Sequence, residues 1–324
     1  MTRITIVIAA GLALAVTLPA VSAQAQAPRT FVSAAGSDSN PCSFAAPCRH
    51  FQAAVNATTV GGEVDALDPA GYGPITISQA VTIEGQGWSY IAPPASGNGI
   101  TINAVSGEVA IRGVSLNGAG IAGGTNGIVF NSGGSLTISN CIVKNFVRAN
   151  GDFSGETGNG IWVAPTSGNI NFTIVNTIAV NNVSGIAYLP ASGSPTASGA
   201  IDHVVATNNG DFGIDVNGYL TSGGSAAVSI SNSVASNNAQ YGIAVLQGPG
   251  IVTVTIDNDE ISNNPNGIDV ASGTAVLSRS TITNNSSYGV TNNGTLDTFQ
   301  NNQIYANGNS NAVQYNPLTP VSLQ

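Results

Sequence analysis

The chain has 324 residues, 7% of them charged, with 7 Lys and Arg against 16 Asp and Glu for a net charge of −9. That balance repels nucleic acid and anionic membrane surfaces, and the scarcity of Lys and Glu leaves little for the polar faces of amphipathic helices. With 40 Gly, many Asn, Ser and Thr, and regularly placed β-branched residues, the composition favours strands and turns and excludes a disordered chain.

In chain order, Arg3, the apolar residues 4 to 18 and a small-residue site at Val21-Ser22-Ala23 or Ala25-Gln26-Ala27 read as an export signal over residues 1–27. An apolar run of about 15 residues is shorter than the roughly 20 a membrane span needs, so a secreted or periplasmic protein without a membrane span is expected. Residues 28–61 are predicted to hold a strand from Arg29 to Ala35, a turn cluster from Gly36 to Pro41, and a short helix within CRHFQAAVNATT. Pro47 suits its first turn, Phe51, Ala54, Val55 and Thr58 share its apolar face, and Gly61-Gly62 ends it. Three cysteines fit an oxidising compartment. Cys42 and Cys48 are near enough in sequence to staple a small loop as a disulfide, which leaves Cys141 over as a thiol in a stacked position.

Residues 62–310 are assigned to one domain, in which a unit recurs from about residue 99 to 310: Gly, then Ile or Val, any residue, then usually an apolar one. It opens at Gly99, Gly127, Gly160, Gly185, Gly213, Gly242, Gly267 and Gly289, at spacings of 28, 33, 25, 28, 29, 25 and 22 residues. Units this short cannot bury their apolar runs alone, and stacking them supplies both the ladder hydrogen bonds and a continuous core. The prediction is all-β: a single right-handed parallel β-helix, or solenoid, whose open N-terminal end is capped by the short helix. Residues 311–324, with two prolines, are assigned to its C-terminal closure. Asn140, Asn176, Asn232, Asn258 and Asn301 share a register, interrupted by His203 and Arg279, and are expected to stack as an amide ladder.

The run SDSNPCSFAAPCRHFQAAV, followed by AGYGPITISQAVTIEGQG and by NN-x-x-x-G-I coils such as Asn237-Asn238 before Gly242-Ile243, resembles secreted bacterial right-handed parallel β-helix proteins of the pectin-lyase-like superfamily. The resemblance covers nearly all of the chain after residue 27. It implies the fold and a polysaccharide or cell-surface glycan as partner, since the superfamily holds pectate and pectin lyases, polygalacturonases and pectinesterases beside members with no assigned activity. The polygalacturonase elements Asn-Thr-Asp, Asp-Asp, Gly-His-Gly and Arg-Ile-Lys are absent. Ile201-Asp202-His203 is similar to a pectate lyase element, but the Arg-x-Pro-x-x-Arg that accompanies it is missing.

Aligned coils put Thr101, Val129, Trp162, Ala187, Asp215, Ala244, Asp269 and Thr291 in one outward row. Asp215 and Asp269, two coils and roughly 10 Å apart, are the candidate acid and base of an inverting glycosidase, with Trp162 offering a face to sugar. Lys144, Arg148, Asp152 and Glu156 form a second constellation: a Lys or Arg base for lyase chemistry, with carboxylates that bind substrate or, under that reading alone, Ca²⁺. Asp257, Asp259 and Glu260 lack the spacing of a cation loop and read as an acidic turn. No metal or other cofactor is expected outside the lyase reading. The preferred reading is non-catalytic binding of glycans or an extracellular surface, and the alternative is a polysaccharide lyase or glycoside hydrolase with a diverged site.

Overall fold

The computed structural model describes residues 26–119, 126–148, 157–309 and 314–321. Most of the export signal, together with Asp152 and Glu156, lies outside the described residues. Every paired strand runs parallel to its neighbours, in a twenty-stranded sheet that makes two walls of each coil and a ten-stranded sheet that makes the third. One coil shows the plan. Ser225–Ser231 forms the long wall, Val234–Ser236 the short one, and Tyr241–Leu246 the wall built from the Gly-Ile signature.

Alternation along each strand decides what enters the core. In Ser225–Ser231 the residues Ala226, Val228 and Ile230 are buried and those between them face out. Stacked through successive ladders, Ile138, Ile174, Ile201, Ile230, Ile256 and Leu277 form one internal column. Opposite it, Ile128, Ile161, Ile186, Ile214, Ile243, Ile268 and Val290 form another. Burial of each such side chain contributes about 1.5–3 kcal/mol, so the core is a sum of equivalent layers.

The first strand is Ala27–Val32, and it pairs directly with Thr58–Ala66. Between them the helix Phe51–Ala57 buries Phe51, Ala54 and Val55 against the first coil. Thr58 begins the next strand, and its hydroxyl donates to the Ala54 carbonyl at 2.6 Å, closing the helix end. Cys42 and Cys48 are joined in a disulfide, and Cys141 is a buried free thiol. At the other end, Thr319–Pro320 still pairs with Thr295–Thr298. Proline is tolerated there because this is the edge of the sheet, where no further strand needs its missing N–H.

The corners carry the asparagines, but not as the sequence led us to expect. Asn140, Asn176, Asn232 and Asn258 are exposed, each in the left-handed backbone region, with His203 and Arg279 in the same conformation. Asparagine accepts that region more readily than most residues, which is the reason for its recurrence. Asn301 falls one residue beyond it, and Gln300 takes the left-handed position. Among the predicted amides a single ladder bond forms, from Asn258 to Asn232 at 2.7 Å; Asn232 then donates to Asp202.

The continuous ladder sits at the following corner, on the second residue of each Asn-Asn pair and, in the last coil, on Asn307 after Ala306. Asn182, Asn209, Asn238, Asn264, Asn285 and Asn307 are all buried. The Oδ1 of Asn238 accepts from the Asn209 backbone N–H at 3.0 Å and from its amide at 2.9 Å, while its Nδ2 donates to the Ala206 carbonyl at 3.1 Å and to Asn264 at 3.1 Å. The same set repeats at Asn264 and Asn285. This ladder also explains the invariant glycine of the repeat. A Cβ on Gly213 would stand 2.7 Å from the Asn238 amide nitrogen and 2.6 Å from the Gly242 carbonyl, and Gly185 and Gly242 meet the equivalent atoms. Glycine is needed there for space.

Candidate functional site

Each Gly-Ile strand places one outward residue in ladder contact with the next. The pairs Thr101–Val129, Val129–Trp162, Trp162–Ala187, Ala187–Asp215, Asp215–Ala244, Ala244–Asp269 and Asp269–Thr291 run along the ten-stranded sheet. The row is covered more than an open strand face would be. Val129, Ala187, Asp215, Ala244 and Thr291 are buried, and Trp162 and Asp269 are half-buried. Trp162 donates its indole N–H to the Leu189 carbonyl at 2.8 Å, which fixes the ring against the segment after the next coil's strand.

The two carboxyls differ in surroundings. Burial pushes Asp215 up to about 7, reinforced by the charges of Asp211 and Asp269 and opposed by the Asn217 amide at 3.5 Å. Burial also raises Asp269, which accepts a hydrogen bond from the Thr291 hydroxyl. Ala244 separates the pair, so the strand spacing sets them roughly 10 Å apart. Asp215 can hold a proton at neutral pH within the wall, and the half-buried Asp269 keeps a carboxyl able to accept hydrogen bonds at the surface.

Of the second constellation, Asp152 and Glu156 lie outside the described residues, and Lys144 and Arg148 stand on different elements. Lys144 projects outward from the short wall Ile142–Lys144, which pairs with Ser115–Asn117 and Ile178–Val180, so it belongs to a different face from Trp162. Arg148 is engaged by the Asp211 carboxylate, at the edge of the ten-stranded sheet. Asp257 pairs with Arg279, and Asp259 is buried beneath the corner, accepting from the backbone N–H groups of Ser233 and Asp257 at 2.7 and 3.0 Å. His203 pairs with Asp202 in its corner, and His50 with Asp38 beside the helix start. Among the described residues no group of three or more His, Cys, Asp or Glu side chains is arranged to hold a metal ion.

One outward column was missed. The residues just before the signature glycine, Phe212, Tyr241, Asn266 and Tyr288, are also in ladder register. Phe212 and Tyr241 stack with centroids 5.6 Å apart and planes 11° from parallel. Three of these four positions are aromatic, which was the available signal. Beside them a concavity of about 320 Å³ is lined by Tyr241, Asn266, Asp269, Tyr288, Thr291, Asn293, Gln314 and Tyr315. A larger hollow, of about 660 Å³, lies on the other sheet between Val60, Val105 and Thr137. Its Arg112 is bonded at 2.7 Å to Glu84 outside the hollow, so the smaller concavity is the better chemical candidate.

A family model described as a right handed beta helix region matches residues 217–318. Among solved structures, the crystal structure of pectate lyase Pel9A aligns with a TM-score of 0.52 at 17% identity, over 85% of this chain and 68% of that one. The fold is the right-handed parallel β-helix. The mannuronan C-5 epimerase AlgE6 A-module of Azotobacter vinelandii also aligns, with a TM-score of 0.47 at 15% identity over 84% of this chain and 93% of that one. No curated protein matches the sequence. No helix among the described residues is long and apolar enough to cross a membrane, and the disulfide fits an oxidising compartment.

Proposed function

We propose that this is an exported, non-catalytic β-helix protein that binds a polysaccharide or cell-surface glycan along the exterior of its ten-stranded sheet. The observation that carries the reading is the row from Trp162 through Asp215 to Asp269 flanked by Phe212, Tyr241 and Tyr288: polar groups set between aromatic faces on a rigid wall. Aromatic rings supply apolar contact to the C–H faces of sugars, while carboxyls and amides bond their hydroxyls. Against lyase chemistry stand the engagement of Arg148 by the Asp211 carboxylate, which holds it in an ion pair, and the placement of Lys144 on another face. Calcium belongs only to that lyase reading, through Asp152 and Glu156.

A second reading, glycoside hydrolysis, rests on Asp215, whose carboxyl is lifted to about 7 by burial, as a general acid requires. Asp269 would then activate water. Both readings are tested by incubating the protein with acidic and neutral polysaccharides, with and without Ca²⁺, while assaying retention and new reducing or unsaturated ends. Retention without cleavage is expected. Cleavage that disappears in Asp215→Ala and Asp269→Ala would replace binding with hydrolysis as the function.

A further inference from the structure

The concavity beside Asp269 gathers several polar groups that the stack leaves unused. Many amides of the coils are spent on each other: Asn131 bonds Asn103, Asn145 bonds Asn117, and the buried corner asparagines bond coil to coil. Around this hollow, the side chains of Asn266, Asn293 and Gln314 and the hydroxyls of Tyr241, Tyr288 and Tyr315 take no hydrogen bond from the described residues. Asp269 spends one carboxyl oxygen on Thr291 and leaves the other free. Tyr241 and Tyr288 flank Asn266 in the ladder, so the two rings stand roughly 10 Å apart with an amide on the floor between them. A slot of that width with a polar floor matches the thickness of one pyranose ring between two aromatic faces.

Its charge selects among sugars. No Lys, Arg or His lines the concavity, while Asp269 does, and the buried Asp215 lies two coils away. Of the six basic residues among those described, five are committed elsewhere, Arg29 to Asp65 and Glu63, Arg112 to Glu84, Arg148 to Asp211, Arg279 to Asp257 and Arg49 to the Gly71 carbonyl, and the sixth, Lys144, projects from a short wall on another face. Recognition of a uronate needs a cation at the carboxylate, and here it would meet a negative field instead.

We infer that the Tyr241–Asn266–Tyr288 slot, closed on one side by Tyr315 and carrying Asp269, is a subsite for an uncharged glycan, and that it discriminates against polyuronates. This deepens the glycan-binding reading and rests on it. Asp269 accepts from sugar hydroxyls, and the tyrosines supply the stacking faces and further hydroxyl contacts.

The test is titration of the whole protein, followed by calorimetry and tyrosine fluorescence, with neutral hexasaccharides of glucose, mannose and xylose and with hexagalacturonate and hexamannuronate. At least one neutral ligand is expected to bind more tightly than either uronate. Tyr288→Ala should weaken it about tenfold, equal to roughly 1.4 kcal/mol. Tyr305→Ala, which alters an exposed ring on a different wall, should leave it unchanged. Asp269→Asn should improve uronate binding several-fold and so narrow the preference. Preference for uronates, or neutral binding indifferent to Tyr241→Ala and Tyr288→Ala variants that melt like the parent, overturns the subsite while glycan binding stands. Binding of no glycan at all sinks both.

Discussion

The corner ladder makes Asn238→Ala the most informative single substitution. Its side chain makes four hydrogen bonds: two accepted from Asn209 and one donated each to the Ala206 carbonyl and Asn264, all buried. Truncation leaves the Asn209 backbone N–H and the Ala206 carbonyl without those partners, in a corner water does not reach. At a net ~1 kcal/mol per bond, with more for an orphaned buried N–H, the loss is about 4 kcal/mol. With an unfolding entropy of ~2.1 cal/mol/K per residue over ~300 residues, the midpoint should fall by about 6 °C. Asn131→Ala is the control, because it removes one exposed amide bond, to Asn103 at 2.9 Å, and should change stability by less than ~0.5 kcal/mol. Thermal and urea denaturation followed by far-ultraviolet circular dichroism give both numbers. Equal effects of the two substitutions would refute the claim that the second asparagine of each pair holds the coils in register.

Gly242→Ala should cost about 2–3 kcal/mol in the same assay, since its Cβ would lie 2.6 Å from the Ile261 side chain and 2.7 Å from the Gly267 carbonyl. Burial lifts both Asp215 and Asp259 to about 7, so the folded chain keeps protons that the unfolded chain releases. Stability from these two groups is therefore full below pH ~4 and is lost as pH rises towards ~7; the melting temperature should fall over that range, and Asp259→Asn should flatten the slope. Asn302 already occupies the equivalent corner position, donating to the Leu277 carbonyl at 3.1 Å, so the amide has a ready bonding pattern there. At the acid end, hydrogen bonds hold Asp68 and Asp202 below their usual range, and their contribution is lost as pH falls below ~4. Burial raises the Cys141 thiol to about 11, so a thiol reagent should label it only in denaturant, and Cys141→Ser, matching Ser233 and Ser280 in the same corner column, should fold normally.

The architecture was legible because stacking imposes one rule on every coil. Gly-Ile spacing alone was enough to align the Trp162, Asp215 and Asp269 ladder, since a parallel register allows only one pairing that keeps Ile161, Ile214 and Ile268 inward. The amide ladder was placed at the wrong corner because both corners present asparagine for different reasons. At the first, asparagine is favoured by a left-handed backbone and its side chain is exposed; at the second, it is favoured by burial. Adjacent identical residues such as Asn237 and Asn238 give periodicity no means of telling the two apart. Sequence proximity is also a weak guide to the charged side chains: Lys144 and Arg148 are close in sequence, but a corner separates them, and a corner changes the wall.

The burial of Asp215 could not be read from strand alternation, which assigns an outward residue to solvent without knowing what the insertions at 189–199 and 218–224 cover. Those segments bond to one another, Ser222 N–H to the Gly193 carbonyl at 2.7 Å, and so add structure beyond the repeat. The repeat itself explains why recognition is confined to so few positions. Glycine and buried asparagine interlock, isoleucine fills the core, and left-handed corners fix their own residues. On the ten-stranded sheet this leaves the positions flanking the Gly-Ile pair free to vary, and there Asn159 and Ser184 give way to Phe212, Tyr241, Asn266 and Tyr288 before the glycine, while Asp215 and Asp269 alternate with Ala187 and Ala244 after the isoleucine. Departures from the repeat at positions that stacking does not constrain are where a solenoid can acquire a ligand without loss of fold.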